Sequence, residues 1–180
     1  MPAAPEAVLS FWREAGPKRW FAQEPAFDTQ IRERFLATHE AAAAGTLSAW
    51  EDTAEGALAL LLALDQFPRN MFRGTARAFS TDALALAAAR RAIERGFDQA
   101  VPMPERTFFY LPFEHSENLA DQEHGVALFE ATGAAEAVKW AKVHLDVIRR
   151  FGRFPHRNAA LGRVSTPEEI AFLEGGGFRA

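Results

Sequence analysis

A chain of 180 residues with 24 acidic and 20 basic side chains, a net charge of -4 and no cysteine can bury roughly 70% of its unfolded surface in one domain without a metal or disulfide staple. Lack of cysteine excludes a disulfide framework, thiolate zinc sites and cysteine nucleophiles, and suits a reducing compartment. The acidic balance argues against bulk attraction to nucleic acid or anionic membrane, and neither a signal peptide nor an apolar run near the ~20 residues of a membrane span is seen, so a cytoplasmic protein is expected.

The pattern predicts helices almost throughout. Alternation at period two is nowhere sustained, and alanine outnumbers the β-branched residues. A first helix is predicted over about Pro5 to Glu14, stopped by Gly16-Pro17. A second starts at Pro25, keeps Phe27, Ile31, Phe35 and Thr38 to His39 at helical spacing, and ends at Gly45. Asp52 or Thr53 can cap a third, Glu55 to Gln66, which is apolar on nearly every face and therefore central. It should end by Phe67, because Pro68 disfavours the α conformation before it.

A fourth helix is predicted over Ala83 to Arg95 with Gly96 as its stop. Pro102 and Pro104 mark a loop, and a short aromatic helix, Glu105 to Tyr110, breaks at Pro112. Ser116 can cap a longer helix, Glu117 to Ala131, closed by Gly133. The next, Ala134 to Phe151, stops at Gly152 and puts Trp140, His144, Val147 and Phe151 on one face. Thr166-Pro167-Glu168-Glu169 has the form of a capping box opening a last short helix that fades into Gly175-Gly176-Gly177. One all-α domain of antiparallel helices over residues 1–180 is the expected fold. No strict 34-residue repeat is visible.

Two loops carry the candidate chemistry, and they read as variants of one another. The first is Asp65-Gln66-Phe67-Pro68-Arg69-Asn70, followed by Arg73. Asp65 falls in the last turn of an apolar helix, where the macrodipole disfavours a carboxylate by ~0.3–1 kcal/mol and burial adds to the cost. It needs a partner, and Arg69 and Arg73 follow at four-residue steps. Asp65, Arg69, Asn70 and Arg73 are therefore either ligand contacts or ties of the loop to the core.

The second loop is Gly152-Arg153-Phe154-Pro155-His156-Arg157-Asn158. Between Val147 and Pro167 lie five arginines, Arg149, Arg150, Arg153, Arg157 and Arg163, with no acid. Such a cluster repels itself unless carboxylates from elsewhere or an anionic ligand lie among them. Glu114, Glu117, Asp121 and Glu123 are internal candidates. Arg150, Arg153, His156, Arg157 and Asn158 are the candidate ligand contacts here. His144 points to an apolar layer, and His115 stands at a helix start beside carboxylates that can tune it. Convergence of His115, His144 and His156 would make a base or a metal site available. HExxH, paired di-iron motifs, glycine-rich phosphate loops and Gly-x-Ser-x-Gly are all missing, so no metal or cofactor is expected.

Leu64-Asp65-Gln66-Phe67-Pro68-Arg69-Asn70 with Arg73-Gly74, then Phe109-Tyr110-Leu111-Pro112-Phe113 with His115-Ser116-Glu117, and Arg150-Phe151-Gly152-Arg153-Phe154-Pro155-His156-Arg157-Asn158 with Leu161-Gly162-Arg163, resemble the bacterial domain of unknown function 924 from about Val8 to Leu173. The sequence departs from it at Arg13 and at Glu114, where methionine is common. The resemblance implies a single all-α, tetratricopeptide-like (TPR-like) helical domain and assigns no activity.

Two functions follow as expectations. In one, the motifs gather at a polar cleft for a small anionic metabolite, with His115 or His144 as general acid or base and Glu117 or Asp65 orienting it. In the other, a non-catalytic helical scaffold takes a peptide or partner protein and the motifs only lock helix ends. An enzyme should bring those groups together around unpaired donors; a scaffold should leave them mutually satisfied.

Overall fold

The computed structural model describes residues 1–178, and among them the regular structure is helical with no strand. The chain divides into two compact units, Met1–Arg73 with Arg77–Pro112, and Gly74–Ala76 with Phe113 onward.

The first unit is built on α1 (Pro5–Ala15), α2 (Pro17–Trp20), α3 (Pro25–Ala43), α4 (Ala54–Leu61), α5 (Phe67–Met71) and α6 (Asp82–Glu94). Proline opens α1, α2 and α3 at a position whose N–H a helix leaves unused. Thr53, one of the two anticipated caps, accepts a hydrogen bond from the Gly56 N–H and starts α4. The buried faces of α1, α2, α3 and α5 meet in an aromatic core. Trp12 stacks on Trp20 at 5.8 Å and takes Phe67 and Phe108 edge-on at 5.7 and 5.6 Å, each such pair adding ~0.5–1.5 kcal/mol beyond the area it buries.

The central helix does not end before Pro68. It widens into a π turn over Leu62–Gln66, in which the Phe67 N–H reaches back to the Leu62 carbonyl, and then continues as α5. The expected break fails for a specific reason. Proline removes the donor that Leu64 would have used and the wider turn releases its neighbours, but side chains take over the freed carbonyls. His39 Nδ1 donates to Ala63 O at 2.9 Å, Thr81 Oγ1 to Leu64 O, and Arg69 Nη1 to Asp65 O at 2.7 Å.

The second unit contains α8 (Leu119–Thr132), α9 (Ala135–Phe151) and α10 (Pro167–Glu174), preceded by α7 (Leu111–Glu114), which carries the chain out of the first unit. Helices α8 and α9 form an antiparallel hairpin. Glu130 pairs with Lys142 at 2.8 Å, and two turns away Glu123 pairs with Arg149 at 3.1 Å. Asn118, rather than Ser116, caps α8, its Oδ1 accepting from Ala120 and Asp121, while Ser116 Oγ donates to Asp121 Oδ2 at 2.8 Å. The longer reach of the asparagine amide from an extended residue satisfies two amides at once. Thr166 and Glu169 form the expected capping box on α10.

Candidate functional site

In the first unit the expected site residues close on acids of the same unit. Asp65 is 1% exposed and lies 3.3 Å from Arg69, which also grips Asp82 through two hydrogen bonds of 2.9 and 3.0 Å. Asn70 and Arg73 both reach Asp28 on α3, Asn70 Nδ2 at 2.7 Å and Arg73 Nε at 2.8 Å. Asp28 and Asp82 were not among the sequence candidates. Both stand in the first turn of a helix, where a carboxylate also faces the positive end of the macrodipole. A cleft of this unit, about 10 Å³ and so barely enough for one water, is lined by Glu51, Leu60, Arg91 and Arg95 among others and by none of these groups.

The second loop is assembled around two carboxylates. Gly152 ends α9 at φ 69°, a conformation that costs other residues ~1 kcal/mol or more, and turns the chain so that Phe154 enters the core at 0% exposure. Glu117 receives the Phe154 N–H at 2.8 Å and both terminal nitrogens of Arg163 at 2.7 and 3.0 Å. Burial pushes its pKa up, but the Arg163 and Phe154 hydrogen bonds outweigh this and hold it below the ordinary value. Glu169, 2% exposed, receives Arg153 at 2.6 and 2.8 Å, Asn158 Nδ2 at 3.2 Å and the Thr166 N–H at 2.8 Å. The Arg153 hydrogen bonds are the main reason its pKa falls to about 2. Neither Glu169 as the partner of Arg153 nor Arg163 as the partner of Glu117 was specified by spacing.

The histidines form a different arrangement. His144, on the buried face of α9, has Nδ1 3.0 Å from Glu114 Oε1 and 2.9 Å from the Trp140 carbonyl. Two acceptors around one nitrogen place the proton on Nδ1, and the neutral ring then offers its lone pair at Nε2. Among the described residues Nε2 makes no hydrogen bond. The carboxylate against His144 is thus Glu114, not Glu117 or Asp65 as the sequence suggested: Glu117 is taken by Arg163, and Asp65 belongs to the other unit. Trp140 does not share the buried face; it is 46% exposed and its ring nitrogen donates to Glu136 at 3.0 Å.

Phe154 is the hub of this region. The His144 ring meets it edge-on at 5.7 Å and the His156 ring lies 5.6 Å from it, while the Arg157 guanidinium stacks over it at 4.4 Å. Arg157 Nη1 donates to the His115 carbonyl at 3.1 Å, and the His115 and His144 rings are 6.4 Å apart. Arg150 lies outside, stacked on Phe151 and Phe172 at 4.7 and 5.4 Å. The three histidines do not make a ligating set: no group of three or more His, Asp or Glu side chains among the described residues has metal-binding geometry. Asn158 Oδ1 and Arg163 Nε are buried with no hydrogen-bond partner among the described residues, whereas such groups in proteins are normally satisfied by protein, water or ligand.

The arrangement can position an imidazole as acid or base with its carboxylate, amid further cationic side chains. The pairing of Glu114 with His144 had no signal in the sequence beyond two buried-face residues on helices joined by a third.

The search of curated proteins returns no match. A solved structure of a protein of unknown function from Agrobacterium tumefaciens superposes on the chain with a TM-score of 0.93 and 48% sequence identity, over 96% of this chain and 97% of the other. The family model of the bacterial protein of unknown function (DUF924) matches residues 8–177, all but the two ends, and the chain is therefore a member of that bacterial family.

Proposed function

We propose that the second unit binds a small anion, a phosphate or carboxylate, beside Phe154, with His144 as general acid or base. The observation that carries this reading is the orientation of His144: Nδ1 is held by Glu114 and the Trp140 carbonyl, and Nε2 is left without a hydrogen bond. Arg157 supplies positive charge near it, His115 and His156 add ring nitrogens, and the orphaned Asn158 Oδ1 and Arg163 Nε add polar groups a ligand or its water would satisfy. Glu117 and Arg153 hold the loop in this reading, while Arg150 lies at the margin. On this reading Asp65, Arg69, Asn70 and Arg73 serve as ties between helices of the first unit. A cytoplasmic setting belongs to the same proposal, since soluble phosphorylated and carboxylated metabolites are found there.

Thermal shift with phosphate and with small carboxylates, across pH, tests it. Saturation near 100 Kd should stabilise the protein by ~2.7 kcal/mol, and His144→Ala and Arg157→Lys should each remove most of that gain while keeping the helical content. Equal ligand shifts in the wild type and both variants would reject the site.

A second reading, a TPR-like scaffold for a peptide or partner protein, draws support from Arg149, Arg153 and Arg163, each of which closes an ion pair inside the unit. On that reading no anion stabilises any variant, and His144→Ala loses stability alone.

A further inference from the structure

Three aromatic side chains of the second unit stand half out of its core. Phe151, Phe172 and Phe178 are each partly exposed and pack on Val147, Ile148 and Phe154, which are buried at 5%, 4% and 0% exposure. They form one strip. The Phe151 and Phe172 ring centres are 5.0 Å apart, and Gly177 lies against the Phe172 ring, where a Cβ would come within 2.7 Å of it. Only glycine permits that approach. The next residue, Phe178, sets its ring centre 4.3 Å from that of His144 and 5.5 Å from that of His156.

Cationic and titratable groups stand at both ends of the strip. At one end are His144, His156 and, stacked on Phe154, Arg157. At the other the Arg150 guanidinium covers Phe151 and Phe172 at 4.7 and 5.4 Å. Arg150 makes no hydrogen bond or ion pair among the described residues, although Asp146 stands one turn before it. Along the strip itself hydrogen-bonding groups are scarce: a phenyl ring has none, and the Gly177 N–H is taken by the Phe172 carbonyl at 2.8 Å. A hydrocarbon group laid on these rings leaves water favourably, whereas a hydroxyl laid there loses its water and finds no partner.

We propose that this strip is the apolar half of the anion site, so that the site selects a phosphate or carboxylate with an aryl or other hydrocarbon body over one that is bare or polyhydroxylated. The anionic head lies by His144 and Arg157, the body lies on Phe178 and Phe172, and the flat Arg150 guanidinium extends the surface on which an aromatic ring can stack. The position of the head rests on the anion-site reading above; the apolar body rests on the strip.

The test is calorimetric titration with phenyl phosphate, methyl phosphate and glucose 6-phosphate, which share a phosphomonoester head. Phenyl phosphate should bind the wild type at least tenfold more tightly than either of the others. Phe178→Ala should cut that advantage to under threefold, and Phe172→Leu, which keeps the core filled, should reduce it in the same direction. Equal affinity for phenyl and methyl phosphate, or a phenyl advantage that survives both substitutions, would overturn the strip and leave the anion site standing. Phenyl phosphate binding that survives His144→Ala but is lost in Arg150→Gln would move the head to the other end, rejecting the His144 reading and keeping the strip. Binding of none of the three would overturn both.

Discussion

The two Phe-Pro loops share residue types but solve different problems. In the first, proline falls inside a helix and the surrounding polar groups repair the backbone: Arg69, Thr81 and His39 occupy the carbonyls that the π turn releases, and Asp28 and Asp82 absorb the cations. In the second, proline follows a helix stop, and Glu117 and Glu169 fix a loop around a buried phenylalanine. One loop spends its side chains on its own backbone. The other leaves an oriented imidazole beside it. Arginine near Phe-Pro therefore does not identify a binding site; what distinguishes the second loop is a neighbouring imidazole, His144, whose Nε2 makes no hydrogen bond among the described residues.

Three measurements sharpen or break that contrast. The largest effect is expected at Arg69. Its removal in Arg69→Ala strands the buried Asp65 and should cost ~3–5 kcal/mol in urea denaturation; a loss under 1 kcal/mol would mean the first loop is not a structural repair.

Acid titration should then separate the loops by pH window. Glu169 has a folded pKa of about 2 against an ordinary 4.5, so its stabilising contribution is complete above pH 4.5 and disappears as pH falls toward 2. Burial, opposed by the hydrogen bond to Ala63, lowers the pKa of His39 below its ordinary 6.5; the fold favours the neutral ring, so that contribution is present above pH 6.5 and is eroded as pH falls below it. Glu169→Gln should flatten the lower window and His39→Gln the upper one, read as unfolding free energy against pH. Interchanged effects would break the assignment.

The smallest change is expected from Thr81→Val, which keeps shape but leaves the Leu64 carbonyl unpaired beside Pro68. About 1–3 kcal/mol is expected, and amide exchange should quicken first within Leu62–Gln66.

Much of the local structure was legible from residue types. Gly16, Gly45, Gly96, Gly133 and Gly152 each sit at positive φ just past a helical run, and Thr166 with Glu169 caps α10 as the spacing implies. The need of Asp65 for a cation was equally readable, because a carboxylate in an apolar helix end has few ways to remain charged. The π turn was not readable: proline alone predicts a break, and only donors from α3 and from the segment before α6 make continuation favourable. Asn118 in place of Ser116 turned on which of two neighbouring polar residues had the extended backbone.

By itself, then, the sequence determined an all-helical chain with most of its stops and caps, because backbone sterics and period depend on neighbours a few residues apart. Tertiary structure decided the partners: Asp28 for Asn70 and Arg73, Glu169 for Arg153, Glu114 for His144. With 24 acids available to 20 basic residues, composition leaves many pairings open, and the choice falls to whichever carboxylate the packing of the apolar faces brings within hydrogen-bond reach and out of water.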